Sequence, residues 1–221
     1  MCGRISQRTL DRQLTAELGW AAVHPTGPPP RLRHNTPPGT TPLVLHCLAG
    51  QPAAQSMFWG YKPHWYERQP VINARLDTIL KGSPMWRPTL TRRIIVPADG
   101  WFEWTGEPGQ KQPWFIHAKD GKPIFLAAIS GWKDGEEGPE HGFAIVTDDS
   151  AGGMVDIHDR RPMALKPHDA LAWMSPDTAK DDALELLSTA RPESAFQWHQ
   201  VTKKINSSRY ESADALEPIG P

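Results

Sequence analysis

Two of the 221 residues are cysteines, and one of them is residue 2. In the opening "MCGR", removal of Met1 would leave Cys2 with a free α-amine and a thiol on adjacent carbons. An α-amine has a pKa of about 7.7–8.0, well below that of lysine, so a useful fraction is uncharged and nucleophilic near neutral pH. Gly3 lets a backbone approach closely. Arg4 sets a permanent cation beside the terminus, which favours a thiolate and attracts phosphate. The plain alternative is a thiol placed there by chance or tucked into the core.

Three further stretches carry residues fit for chemistry. Residues 58–78, "FWGYKPHWYERQPVINARLDT", interleave Trp59, Tyr61, Trp65 and Tyr66 with Lys62, His64, Arg68 and Arg75. Rings between cations suit single-stranded nucleic acid, with bases stacked on the rings and phosphates held by the cations. A hydrophobic core with polar edges has the same composition. Asn73, in "INAR", is a turn residue or a site donor. In "PADGWFEWTG", residues 97–106, Glu103 lies between Phe102 and Trp104. On a strand, Trp101 and Glu103 share one face and Phe102 and Trp104 the other. A carboxylate among aromatics is desolvated, which raises its pKa toward proton transfer near pH 7; the alternative is a glutamate at a solvent edge. In "MVDIHDRRPMAL", residues 154–165, His158 sits among Asp156, Asp159, Arg160 and Arg161. It is either an oriented acid–base group or part of a solvated charge run. CxxC and HExxH spacings are absent, so no metal site is expected.

The elements that must position these groups read as α+β, with an antiparallel sheet or barrel-like core and peripheral helices. Leu10, Leu14 and Leu18 form one helical stripe over residues 8–18, stopped by Gly19. Strands are expected at 42–48, 93–97, 112–118, 123–129 and 142–147. "KDGK" at 119–122 reads as a two-residue hairpin, and "GEPGQK" at 106–111 as another reversal. Helices are expected at 167–174, entered through Pro167, and at 177–188, capped by Asp177. The proline-rich run at 24–42 reads as an extended surface loop within one domain spanning 1–221.

No run of 18 apolar residues exists, and the first 25 residues lack a secretion-type apolar core. Cys47 lies in the apolar "PLVLHCLAG" and reads as an inert core thiol. A reducing, cytoplasmic setting fits two such cysteines. Net charge is −1, yet residues 1–100 hold 12 Lys and Arg against 5 Asp and Glu, while the remainder holds 12 against 20. That asymmetry suggests one basic surface.

The segments "MCGR", "FWGYKPHW", "INARLDT", "VPADGWFEW" and "VDIHDRRPMAL", followed by "FQWHQVTKKINS" at 196–207, together resemble the SOS-response-associated peptidase (SRAP) family, also called abasic-site-processing proteins. The resemblance implies a single compact domain that binds single-stranded DNA carrying an abasic site and cross-links Cys2 to the sugar once Met1 is gone. It implies catalytic roles for Cys2, Asn73, Glu103 and His158, and DNA contacts from Arg4, Trp65, Tyr66 and Arg75. His34 and the Thr36-Pro37 pair depart from the family pattern, as does Asp77, where Glu is usual. The implied chemistry joins the α-amine to the open-chain aldehyde as an imine, which the thiol closes to a thiazolidine. β-Elimination and adduct reversal are side outcomes. No cofactor is required, and a monomer located in the cytoplasm, on the nucleoid when DNA-bound, is expected. An N-terminal-nucleophile cysteine hydrolase or peptidase is the competing enzyme class, and a non-catalytic single-strand binding module is the third reading.

Overall fold

The computed structural model describes residues 2–8, 16–19, 31 and 33–220. It is a mixed α+β fold of two sheets. The first sheet has strand order β13-β8-β7-β1-β2, antiparallel throughout. Its strands are β1 (Ile5–Gln7), β2 (Arg33–Thr36), β7 (Gly100–Thr105), β8 (Gln112–Ala118) and β13 (Phe196–Gln200). The second sheet runs β11-β10-β9-β6-β3-β4, with β12 on β9 and β5 on β10. Its strands are β3 (Leu43–His46), β4 (Ala53–Ser56), β5 (Asn73–Arg75), β6 (Arg93–Ala98), β9 (Ile124–Ser130), β10 (Phe143–Asp149), β11 (Arg160–Pro162) and β12 (Ala164–Leu165). The barrel-like core takes the form of these two packed sheets, which do not close into one barrel.

β9 shows why its sequence lacks polar alternation. Ile124, Leu126 and Ala128 face the first sheet, packing with Ile5, Trp101, Ile116 and Phe196. Phe125, Ala127 and Ile129 face the helical layer, packing with Trp173, Ala183 and Leu187. With both faces covered, an unbroken apolar run is required. The helices are α1 (Leu76–Leu80), α2 (Pro167–Met174) and α3 (Lys180–Leu186). Buried Arg93 ties α2 and the turn after it to β6, donating to the carbonyls of Trp173, Ser175 and Thr178 at 2.6–2.8 Å.

Three sequence expectations are corrected. The "KDGK" turn joins β8 to β9, which lie in different sheets, so it makes no hairpin: β8 already has β7 and β13 on its two edges. The segment at 177–188 starts its helix at Lys180, with Ala179 as the capping residue. Asp177 instead donates its amide to Ser175 Oγ in the turn after α2. Residues 33–36 of the proline-rich run are a strand, because Asn35 is buried and bonds to the carbonyls of Ser207 and Tyr210 at 2.9 and 3.0 Å. Leu10 and Leu14 lie outside the described residues, as do 24–30; Leu18 is buried and Gly19 follows with φ +65°. The reversal at 106–111 is the β7–β8 turn, with Gly106 and Gly109 at φ +92° and +87°.

Gly100 is where β1 meets β7 and β8. A Cβ there would lie 2.4 Å from the Ile116 carbonyl oxygen and 2.6 Å from the Phe115 ring. Gly100→Ala is therefore expected to lower stability by about 1–3 kcal/mol, the usual cost of overpacking. Chemical denaturation should show this as a lower midpoint at unchanged slope.

Candidate active site

The chain's first described residues are held as part of a sheet. β1 pairs with β7 in the register Ile5↔Trp101 and Ser6↔Gly100, and Phe102 donates its amide to the Arg4 carbonyl at 2.9 Å. Continuing that register sets Gly3 opposite Glu103, whose charge also acts on the neighbouring Cys2 thiol. Cys2 is 0% exposed, within the core layer between the sheets. Asn73, at the start of β5, donates from Nδ2 to the Cys2 carbonyl at 2.8 Å. Its Oδ1 is buried with no hydrogen-bond partner among the described residues.

Glu103 follows the strand alternation expected of it. Trp101 joins the inter-sheet core with Cys2, while Phe102 packs on the outer face of the first sheet. Glu103 is 2% exposed, so it is no solvent-edge residue. Burial raises its carboxyl from the ordinary 4.5 to about 7. His158 Nε2 stands 3.9 Å from Glu103 Oε2, too far for a direct hydrogen bond. Burial lowers the His158 pKa, which leaves the ring neutral at pH 7. The amide of Arg160 donates to His158 Nδ1 at 3.0 Å. Asp159 Oδ1 lies 2.7 Å from the same Nδ1, an acceptor for a proton there, so Nδ1 is held between a donor and an acceptor while Nε2 faces Glu103. Burial, with the Glu103 charge adding to it, pushes the Cys2 thiol well above its ordinary pKa.

Cys2, Asn73, Glu103 and His158 thus form one cluster linked by hydrogen bonds, strand register and close approach. The four DNA-contact candidates divide. Arg4 is half-buried, bonded through Nη1 to Asn35 Oδ1 at 2.5 Å and to the Ile205 carbonyl at 3.2 Å, with its guanidinium 5.6 Å from the Trp104 ring. Arg75 lies two residues beyond Asn73 on the same face of β5, and is exposed and paired with Asp77 at 3.1 Å. Trp65 is 52% exposed and meets Tyr66 edge-on at 6.0 Å. Trp59 and Tyr61 of that stretch belong to the core. The cations of the first hundred residues do not make one free basic face: Arg93 is buried, and Arg33 pairs with Glu211.

Sequence reasoning missed Arg160 and Thr147. Arg160 is buried and pairs with Asp149 at 3.0 Å through Nη2, while its Nη1 has no partner among the described residues. Thr147 faces Arg75 across β5 and β10, and its buried hydroxyl also lacks a partner there. Arg160 was visible only as part of the charge run around His158; a threonine at the end of an apolar strand offers no signal. Among the described residues no group of three or more His, Cys, Asp or Glu could hold a metal, and no helix is long and apolar enough to cross a membrane.

The SOS response associated peptidase (SRAP) family model matches residues 1–208. The abasic site processing protein YedK of Escherichia coli is 38% identical, covering 99% of this chain and all of its own length. The abasic site processing protein HMCES of Pongo abelii is 29% identical over 84% of this chain and 64% of its own. Among solved structures, a phage-related protein of Bordetella bronchiseptica superimposes with a TM-score of 0.80 at 40% identity, with both chains covered in full. With this match over nearly its whole length, and with Cys2, Asn73, Glu103 and His158 gathered around one point, the chain belongs to the SRAP family.

Proposed function

We propose that this protein processes abasic sites in single-stranded DNA by forming a covalent cross-link through Cys2 after loss of Met1. The observation that carries this reading is the Asn73 hydrogen bond to the Cys2 carbonyl, which fixes residue 2 beside a carboxyl that titrates near neutral pH. The names of the relatives point to the same substrate class.

The order of events follows from the protonation states. The Cys2 thiol is held protonated by burial, so sulfur does not lead. The α-amine attacks the aldehyde carbon of the open sugar, and the resulting carbinolamine loses water to give an imine. Glu103, near half-ionised at pH 7, gives the proton that lets hydroxyl leave as water. Its conjugate base then takes the thiol proton as sulfur adds to the imine carbon and the five-membered ring closes. His158 sets Nε2 toward Glu103 and can move a proton at the sugar oxygen during ring opening. Asn73 positions the terminal residue, and Arg75 and Arg160 offer cations to phosphate. A protonated thiol also argues against a peptidase in which sulfur attacks first.

The test uses the full chain with two labelled oligonucleotides, one carrying a single abasic site and one undamaged. A denaturation-resistant adduct is expected with the first alone, from protein whose intact mass lacks one methionine. Equal retention of both strands under denaturation, or adduct formed by protein that keeps Met1, would overturn the reading.

A further inference from the structure

We infer that the cleft beside Cys2, walled by Gly3, Arg4, Trp104, Gly109, Lys111 and Asn206, is the subsite for one phosphodiester flanking the reacting sugar, with Lys111 as its second cation. The inference rests on the proposed cross-linking reaction and adds to it Lys111, to which the sequence reading gave no functional role.

The cleft has a volume of about 430 Å³ and is lined in part by Gly3, the residue that follows Cys2. Its lining holds two cations and no carboxylate. Arg4 is held in place by neutral groups: the Asn35 side chain, the Ile205 carbonyl and the Trp104 face. Its positive charge is therefore not cancelled at contact range by an acid among the described residues. Its Nε is buried and has no hydrogen-bond partner among them.

Lys111 closes the other wall. It stands just before β8, at the end of the turn that Gly106 and Gly109 bend through positive φ. Asn206 fixes its backbone, accepting from Trp104 Nε1 at 2.7 Å and donating to the Lys111 carbonyl at 3.3 Å. No carboxylate lies within ion-pairing distance of its ammonium among the described residues. An anchored arginine and an exposed lysine, both lining a cleft without a carboxylate, match a phosphate monoanion. Lys111 also lowers the pKa of both Glu103 and His158 through its charge, so a second role as a tuner has to be separated by experiment.

Cross-linking rates are measured against concentration of a single-stranded abasic oligonucleotide for the parent, Lys111→Ala, Lys111→Glu and Lys111→Arg. Lys111→Ala should raise the half-saturating concentration several-fold and Lys111→Glu further, with Lys111→Arg near the parent. The log–log salt slope of binding should fall by about 0.7 in Lys111→Ala, one single-strand phosphate contact. A methylphosphonate at the contacted linkage should erase the difference between parent and Lys111→Ala, while the same change several nucleotides away should leave it intact. Unchanged half-saturation with a displaced pH–rate midpoint would overturn the subsite and make Lys111 a tuner of Glu103. Unchanged half-saturation and unchanged pH profile would overturn it outright. If the parent itself forms no adduct, the reaction proposal fails instead. Equilibrium binding of the same strand to parent and Lys111→Ala then decides the cleft alone, by the same shift and salt slope.

Discussion

Cys2→Ala should reduce the denaturation-resistant adduct to background. Once Met1 is removed, the variant keeps its α-amine, so an imine still forms and can be trapped by borohydride; without sulfur it cannot close the ring. Cys2→Ser should behave in the same way, because a hydroxyl closes a far less durable ring. The loss is chemical rather than structural. Asn73 bonds the main-chain carbonyl of residue 2, and β1 pairs through main-chain atoms, so neither interaction needs the thiol. Thermal unfolding of Cys2→Ala should therefore stay close to the parent. An adduct that survives denaturation without reductant in this variant would remove Cys2 from the reaction.

Glu103→Gln should slow cross-linking by about 10²–10⁴-fold, the usual contribution of a positioned acid–base group, with DNA affinity nearly unchanged. Stability should move the other way. The Glu103 carboxyl is raised from 4.5 to about 7 in the folded chain. Below pH 4.5 it is protonated whether folded or unfolded, and no penalty applies. As pH rises through 7 the unfolded chain ionises first, and the parent loses roughly 3 kcal/mol, at about 1.36 kcal/mol for each pH unit that separates the folded and unfolded values. Glutamine is neutral throughout and escapes this loss. Glu103→Gln should therefore be more stable than the parent at pH 8 and converge with it near pH 4. Denaturant midpoints over that range check the sign: a variant less stable at pH 8 would make Glu103 a structural residue, and an unchanged cross-linking rate would remove it from the chemistry.

The candidate site was more legible than the topology. Glu103 was readable because a strand alternates faces, and Trp101 and Phe102 are large enough to declare which face is which. The long apolar runs marked β6, β9 and β10, since nothing but a doubly covered strand uses such residues. Strand partners were not readable: an Asp-Gly turn between β8 and β9 looks the same whether the chain returns along its own strand or crosses to another sheet. Burial of Cys2 stood in the sequence only as one alternative, because the cover over it comes from distant parts of the chain. The aromatic stretch at 58–66 misled for a related reason. Its rings divide between core and surface, and composition alone cannot assign Trp59 to one and Trp65 to the other.

The seating of the first strand sets a timetable for the chain's maturation. Residue 2 is synthesised long before its cover: Arg4 and Asn35, which secure the strands around it, bond to carbonyls at Ile205, Ser207 and Tyr210. At about 5–20 residues per second, the intervening stretch takes roughly 10–40 s to translate. Through that interval the segment around residue 2 has not docked, and once the last segment docks Cys2 is buried. On the proposed route, excision of Met1 before docking meets an uncovered residue 2, and excision afterwards meets a covered one. A peptide fused before Met1 and never removed would keep the Cys2 nitrogen in a peptide bond and leave the folded molecule unreactive, whereas the same peptide fused after Pro221 would not touch that nitrogen.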